Sequence, residues 1–226
     1  MLPDTLFANP AWHALQTKHR HLALSNGAAC RYLADIAPLA ALAEPTPAAF
    51  AQLHELLAPG ESVWIYGEDF PAVPKFSFGR TLECLQMFLP QSVPPPEPIG
   101  GIVDLAPSDA DEMVALTDVA FPGFYRRRTY VMGAYHGVRV NGELVAMAGE
   151  RLMLEGYPEI SGVCTHPAHR RHGYAPGLIW HLVGAHRLQG LQSWLHVVIN
   201  NPALKLYERM GFQRAGRVTL TFVTAA

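Results

Sequence analysis

The sequence predicts a mixed α/β fold, and three observations carry that prediction. Asn141-Gly142 stands between two runs of strand character, Tyr135 to Val140 and Glu143 to Leu154, and is the strongest short hairpin signal in the chain. A strand ending at Thr165 enters a basic, glycine-containing turn that leads into an amphipathic helical stretch. The chain then alternates strand, helix and strand to its end, the pattern of a sheet flanked by helices.

Composition sets the frame. The chain has 226 residues, half of them hydrophobic and 16% charged, so it can bury a sizeable core. A net charge of -2 gives no support to a nucleic-acid or acidic-membrane partner. The one basic run, Arg126-Arg127-Arg128, reads as a solvated surface with a smaller chance of touching an anionic ligand. Three unpaired-looking cysteines, Cys30, Cys84 and Cys164, fit free thiols in a reducing compartment. Met1 to Thr5 lacks the start of a secretion signal, and no stretch reaches the roughly 18 apolar residues of a membrane span. A soluble cytoplasmic protein is expected.

The clearest break is the proline- and glycine-rich stretch 92–101, read as a linker between an N-terminal α/β domain (1–91) and a second domain (102–226). In the first part, Thr46-Pro47 opens a helix whose Phe50, Leu53 and Leu57 share a face, stopped by Pro59-Gly60. Val63 to Tyr66 and Leu82 to Phe88 read as strands. His19 and His21 have no partners to complete a metal site and are expected to be packing or surface residues.

In the second part, Ile102 to Leu105 is a short strand. Ser108 with Asp111 then suggests a capping box with Asp in place of Glu. Phe121 to Met132 is expected to be helical, broken at Gly133. After the hairpin come a strand over Pro158 to Thr165, a helix from about Pro176 to Leu188 and a strand over Ser193 to Ile199. A short helix over Pro202 to Met210 and a strand near Val218 to Val223 end the series.

The turn from Arg170 to Ala175 carries the most chemistry. The first amides of a helix lack internal partners and point outward, and the helix dipole adds partial positive charge, which suits a pyrophosphate. Gly173 leaves the backbone open to a ligand, and Arg170 and Arg171 add charge. Leu178, Ile179, Leu182 and Ala185 supply the buried stripe of the following helix. His166, His169 and His172 share a spacing of three, but Pro167 and Gly173 make this stretch a loop, so no metal is expected there. Downstream, Asn201 can cap a helix that Gly211 ends, with Ala203, Leu206, Tyr207 and Met210 on one face. Periodicity alone would make Tyr207 a core aromatic.

Together these two motifs, separated by room for one helix and one strand, resemble the GCN5-related N-acetyltransferases. The second motif looks like the FR47-like branch. The resemblance covers roughly Ile102 to Val223, and residues 1–90 could be a degenerate copy of the same fold or a separate cap. It implies that the pantetheine arm of acetyl-coenzyme A lies along Val163, Cys164 and Thr165. Pyrophosphate would bind at Arg170, Arg171, His172, Gly173, Tyr174 and Ala175. Asn200 matches a position at the cofactor edge, and Tyr207 matches a tyrosine near the sulfur. Ala175 replaces the more frequent glycine.

The implied reaction is acetyl transfer to a primary amine of a small molecule or amino acid by direct attack, with no metal and no membrane partner. A homodimer is admitted. Something must accept the amine's proton, and Glu159 is the candidate base, directly or through water. A strand-edge carboxylate facing solvent is the equally weighted alternative, and Glu150 is a weaker candidate. The Val163 amide would hold the oxyanion, and Tyr207 would protonate the leaving sulfur. Cys164 could instead form an acetyl-cysteine, but its apolar strand points to an inert thiol. An acetyl-coenzyme A sensor without catalysis, or a histidine-based metal hydrolase, are the rival classes.

Overall fold

The computed structural model describes residues 4–226. Met1 to Pro3, part of the segment read for a leader, lie outside the described residues. The chain begins with helices α1 (Asp4–Ala8) and α2 (Pro10–Gln16), then strands β1 (Ala23–Asn26), β2 (Ala29–Tyr32) and β3 (Ala40–Leu42). Helix α3 (Pro47–His54) follows, with the Thr46 side chain accepting from the Ala49 amide as the cap. Strands β4 (Ser62–Tyr66) and β5 (Phe76–Phe88) complete the part before the proline-rich stretch.

Beyond it lie β6 (Ile102–Asp104), α4 (Ala110–Ala120), β7 (Tyr135–Val140), β8 (Glu143–Leu154) and β9 (Tyr157–Thr165). The chain closes with α5 (Tyr174–Leu188), β10 (Trp194–Val198), α6 (Ala203–Arg209) and β11 (Gln213–Ala225). The β7–β8 hairpin turns at Asn141 (φ 52°) and Gly142 (φ 87°), the two positive values a two-residue turn of the I′ kind requires.

β1, β2 and β3 form a small sheet, and the other strands form one mixed sheet of eight in the order β4-β11-β5-β10-β9-β8-β7-β6. β5 lies between β10 and β11 and is antiparallel to both. Residues on either side of 92–101 therefore share one sheet, and that stretch is a connection between two of its strands.

Alternation along the central strands sends side chains to two different cores. Leu85, Leu195 and Val197 pack under α5 with Leu178, Ile179 and Leu182, while Cys84, Trp194 and Val198 face the other side with Phe7, Ala11 and Leu15. Each aliphatic side chain so enclosed is worth roughly 1.5–3 kcal/mol.

Several expectations need correction. Residues 121–132 are not a helix: Pro122 and Gly123 (φ 95°) interrupt it, and only Thr129–Met132 forms a 3-10 turn. Ahead of α4 a 3-10 turn spans Pro107–Asp109, and the reciprocal contact there is the Asp109 carboxylate accepting from the Ala106 amide at 2.7 Å, rather than Ser108 with Asp111. Asp111 instead pairs with Arg127. In α5 the buried stripe continues through Val183 and His186 rather than Ala185, because the helix starts at Tyr174 and keeps a wider apolar face. β5 and β11 are both 13 residues long, extended beyond their expected ends by pairing with each other.

Candidate active site

β9 and β10 are parallel neighbours whose recorded pairing is Trp194 opposite Glu159. Past that pair a cavity of about 220 Å³ opens, walled by Gly162 and Val163 of β9, His196 of β10 and Tyr207 of α6. Phe124 and Tyr125, from the 121–128 loop, contribute to its lining. The N-terminal part fastens this loop: Thr129 Oγ1 donates to the Ile36 carbonyl at 2.6 Å, and Arg128 pairs with Asp35 at 3.1 Å.

A bulge shapes the β9 wall. Met147 pairs with Cys164 and Gly149 with Ser161, so β9 carries one residue more than β8 across this interval. Gly162 (φ 62°) takes the left-handed conformation there. The extra residue of a bulge leaves the hydrogen-bonded ladder, which is how a backbone amide beside Gly162 can be freed to face a ligand.

Tyr207 and Val163, two residues singled out in sequence, share this cavity. Tyr207 is buried against Phe212, and its hydroxyl has no hydrogen-bond partner among the described residues. Burial pushes its pKa up to about 12, so the phenol keeps its proton at neutral pH and can donate it.

β9 leads out of the cavity into the basic turn. His172 Nδ1–H donates to the carbonyls of His169 and Arg170 at 3.1 and 3.0 Å and stacks on Tyr174, which fixes the loop. Gly173 (φ 79°) caps α5 in the left-handed conformation, with nothing within 4 Å of where a Cβ would stand. Arg170 and Arg171 are exposed beside it, without carboxylate partners among the described residues. Thr165 and Ala175 lie half-buried at the two ends of the turn, and Pro176 sits within the first helical turn, where no amide bond is lost. Asn200 is exposed at the end of β10, while its neighbour Asn201 lines the cavity and caps α6 through the Ala203 amide at 2.9 Å.

The candidate base is differently placed from either sequence reading. Glu159 is 1% exposed, so it does not face solvent. Arg151 Nε and Nη2 donate to its two oxygens at 3.0 and 2.7 Å, and the Leu152 amide donates at 3.1 Å. Burial alone would raise its pKa, but Arg151 and then His196 outweigh that and hold it well below the usual carboxylate range. A carboxylate so engaged is a poor direct proton acceptor.

Sequence reasoning missed His196 and Arg151, whose strand positions gave no local signal. Arg151 Nη2 donates to His196 Nε2 at 2.8 Å, so that nitrogen carries a lone pair and the ring proton resides on Nδ1. Nδ1 lies 2.9 Å from Glu159 Oε1, outside hydrogen-bond geometry. Glu150 is committed elsewhere: it accepts from the Ala134 amide and meets His186 Nε2 at 2.7 Å.

Cys164 is buried in the core cluster with Met113 and Tyr135, and burial pushes its pKa up to about 12, far from a thiolate. Among the described residues, the groups that converge as metal ligands would are Asp104, His136 and His181, within 4.8 Å of one another, and not the loop histidines. His19 Nδ1 lies 2.8 Å from the Tyr32 hydroxyl in a packed site. No described helix is long and apolar enough to cross a membrane.

Comparison with known proteins bears on the family and the fold. A family model described as the acetyltransferase (GNAT) family matches residues 104–212. A GNAT-family acetyltransferase structure from Novosphingobium aromaticivorans is 32% identical, covering 97% of this chain and 98% of its own, with a TM-score of 0.88. A GCN5-related N-acetyltransferase from Kribbella flavida, 20% identical over 95% of this chain and 93% of its own, shares the fold with a TM-score of 0.63. No curated protein matches the sequence.

Proposed function

The chain belongs to the GNAT acetyltransferase family and is an acyltransferase that uses acetyl-coenzyme A; from that premise we propose that it acetylates a primary amine of a small molecule or amino acid by direct attack. The observation that carries this reading is the single cavity into which both Tyr207 and Val163 project, at the end of a strand that leads to the Gly173 turn.

The cofactor's diphosphate sits on the amides at the start of α5, with Arg170 and Arg171 adding charge. Its arm follows β9 past Thr165 and Cys164, which brings the thioester into the cavity. The amine nitrogen attacks the carbonyl carbon, and the oxygen's developing charge is taken up by the Val163 amide. The carbon–sulfur bond then breaks, and the departing thiolate takes its proton from the Tyr207 hydroxyl. The amine's surplus proton leaves to water, and a solvent proton returns to the Tyr207 oxygen, which restores the phenol for the next turnover. The products are the N-acetylated amine and free coenzyme A.

Glu159, held by Arg151 and the Leu152 amide, is a positioning residue, and we assign it neither the direct nor the water-mediated base role expected from the sequence.

A panel of amines read by thiol release tests the reading. Release that requires both acetyl-coenzyme A and an amine is expected. Stabilisation by acetyl-coenzyme A with no release from any amine would make the protein a binder of the cofactor and overturn it.

A further inference from the structure

A second cavity, of about 520 Å³, lies on the same face of the sheet as the first. Leu220 lines the first and Phe222 the second, and residues two apart on β11 point to one side. Both lie on regular β4–β11 pairs, opposite Tyr66 and Trp64. Phe124 of the covering loop borders both spaces, so they are neighbours under one roof.

The wall between them is aromatic. Trp64 stacks on Phe124 with centroids 5.5 Å apart and planes 22° apart, and Phe222 packs on Trp64 at 5.0 Å.

The charges of this second cavity do not balance. Its charged lining groups are Arg31, Glu61, Arg80 and Arg126. Arg31 is spent on Glu61 and on the carbonyls of Tyr32 and Leu56. Arg80 stands 5.3 Å over the Trp64 ring, and among the described residues neither it nor Arg126 has a carboxylate partner. In the run Arg126-Arg127-Arg128 the other two are neutralised, by Asp111 and Asp35, and Arg126 is the member turned to the cavity.

We infer that this cavity binds the acceptor's anionic group, and that the acceptor is an amine carrying a carboxylate or phosphate separated from its nitrogen by an apolar or aromatic linker. The inference rests on the transferase reading above. Arg80 and Arg126 hold the anion, the linker lies along Trp64 and Phe124, and the amine reaches the first cavity beside Tyr207. The same two cations repel polyamines and other polycationic amines, so the lining selects against them as well as for the anion.

The test pairs acceptors of one skeleton: 4-(aminomethyl)benzoate against benzylamine, and an aminoalkyl carboxylate against the aminoalkyl phosphate and the plain alkylamine. Expected is a kcat/KM for at least one anionic member about 100-fold above its neutral partner, in keeping with two charge-assisted contacts. The carboxylate and phosphate arms show which anion is taken. Arg126→Ala and Arg80→Ala should each raise KM for that amine about tenfold and narrow its advantage. Equal kcat/KM across every pair, or a preference that survives the double Arg80→Ala/Arg126→Ala variant, overturns the inference while leaving transfer intact. If no amine releases thiol, the transferase reading has failed instead. Calorimetry of the anionic amines on the native and double-variant proteins then decides the site: binding lost in the variant sustains it, and no difference removes it.

Discussion

Glu159 presents both carboxylate oxygens to Arg151, at 3.0 and 2.7 Å, inside a sheet where the carboxylate is 1% exposed. Arg151 lines the cavity beside β9 and β10, and Glu159, opposite Trp194, holds it from behind. Desolvating two charges is costly, so their mutual hydrogen bonds have to compensate, and neither partner can be removed cheaply.

A double-mutant cycle measures that dependence. Arg151→Met and Glu159→Gln should each lower stability by roughly 3 kcal/mol, and the double variant should lose clearly less than the sum. Denaturant midpoints provide the readout. Strict additivity would mean that the two side chains are not energetically coupled.

Tyr207→Phe keeps the ring packed on Phe212 and removes only the hydroxyl. Turnover should fall about 10²-fold while affinity for acetyl-coenzyme A stays nearly constant. Unaltered kcat would take Tyr207 out of the mechanism. Cys164→Ala, by contrast, should retain transfer, and mass spectrometry of the native enzyme with acetyl-coenzyme A should find no acetylated Cys164.

Gly173→Val forces a branched side chain onto a φ of 79° at the start of α5. The backbone cost is on the order of 1–3 kcal/mol, and the new side chain stands where the diphosphate approaches. We expect KM for acetyl-coenzyme A to rise at least about tenfold. Titration calorimetry with coenzyme A checks this, and wild-type affinity would mean that the turn does not grip the cofactor.

His19 makes stability depend on pH. Burial brings its pKa down from 6.5 to about 4 in the folded chain. Between those values the unfolded state binds a proton that the native state does not, so stability falls as pH drops from 6.5 towards 4. The loss amounts to about 3 kcal/mol at full titration. His19→Gln should flatten that segment of the stability–pH curve relative to the native chain, and parallel curves would contradict it.

Local signals made much of the C-terminal architecture legible. Asn141-Gly142 fixed its hairpin because both positions need positive φ. Asn201 and Gly211 (φ 94°) bound the short helix as caps whose requirements are equally local. The exception, residues 121–132, shows the limit of the approach. It was expected to be helical, yet Pro122 and Gly123 deny it a helix, and it is fastened to Asp35 and Ile36, some ninety positions upstream.

The sequence by itself determined the β7–β8 hairpin, the strands β9 and β10, the helices α3, α5 and α6 and the glycine turn, because each depends on neighbours within a few residues. Tertiary structure alone decided that Glu159 is buried against Arg151, which arginine of the 126–128 run stays unpaired, and that β5 completes the sheet between β10 and β11. Those outcomes follow from burial and charge pairing between segments far apart in the chain, and a carboxylate's chemistry is set by the groups that surround it in space.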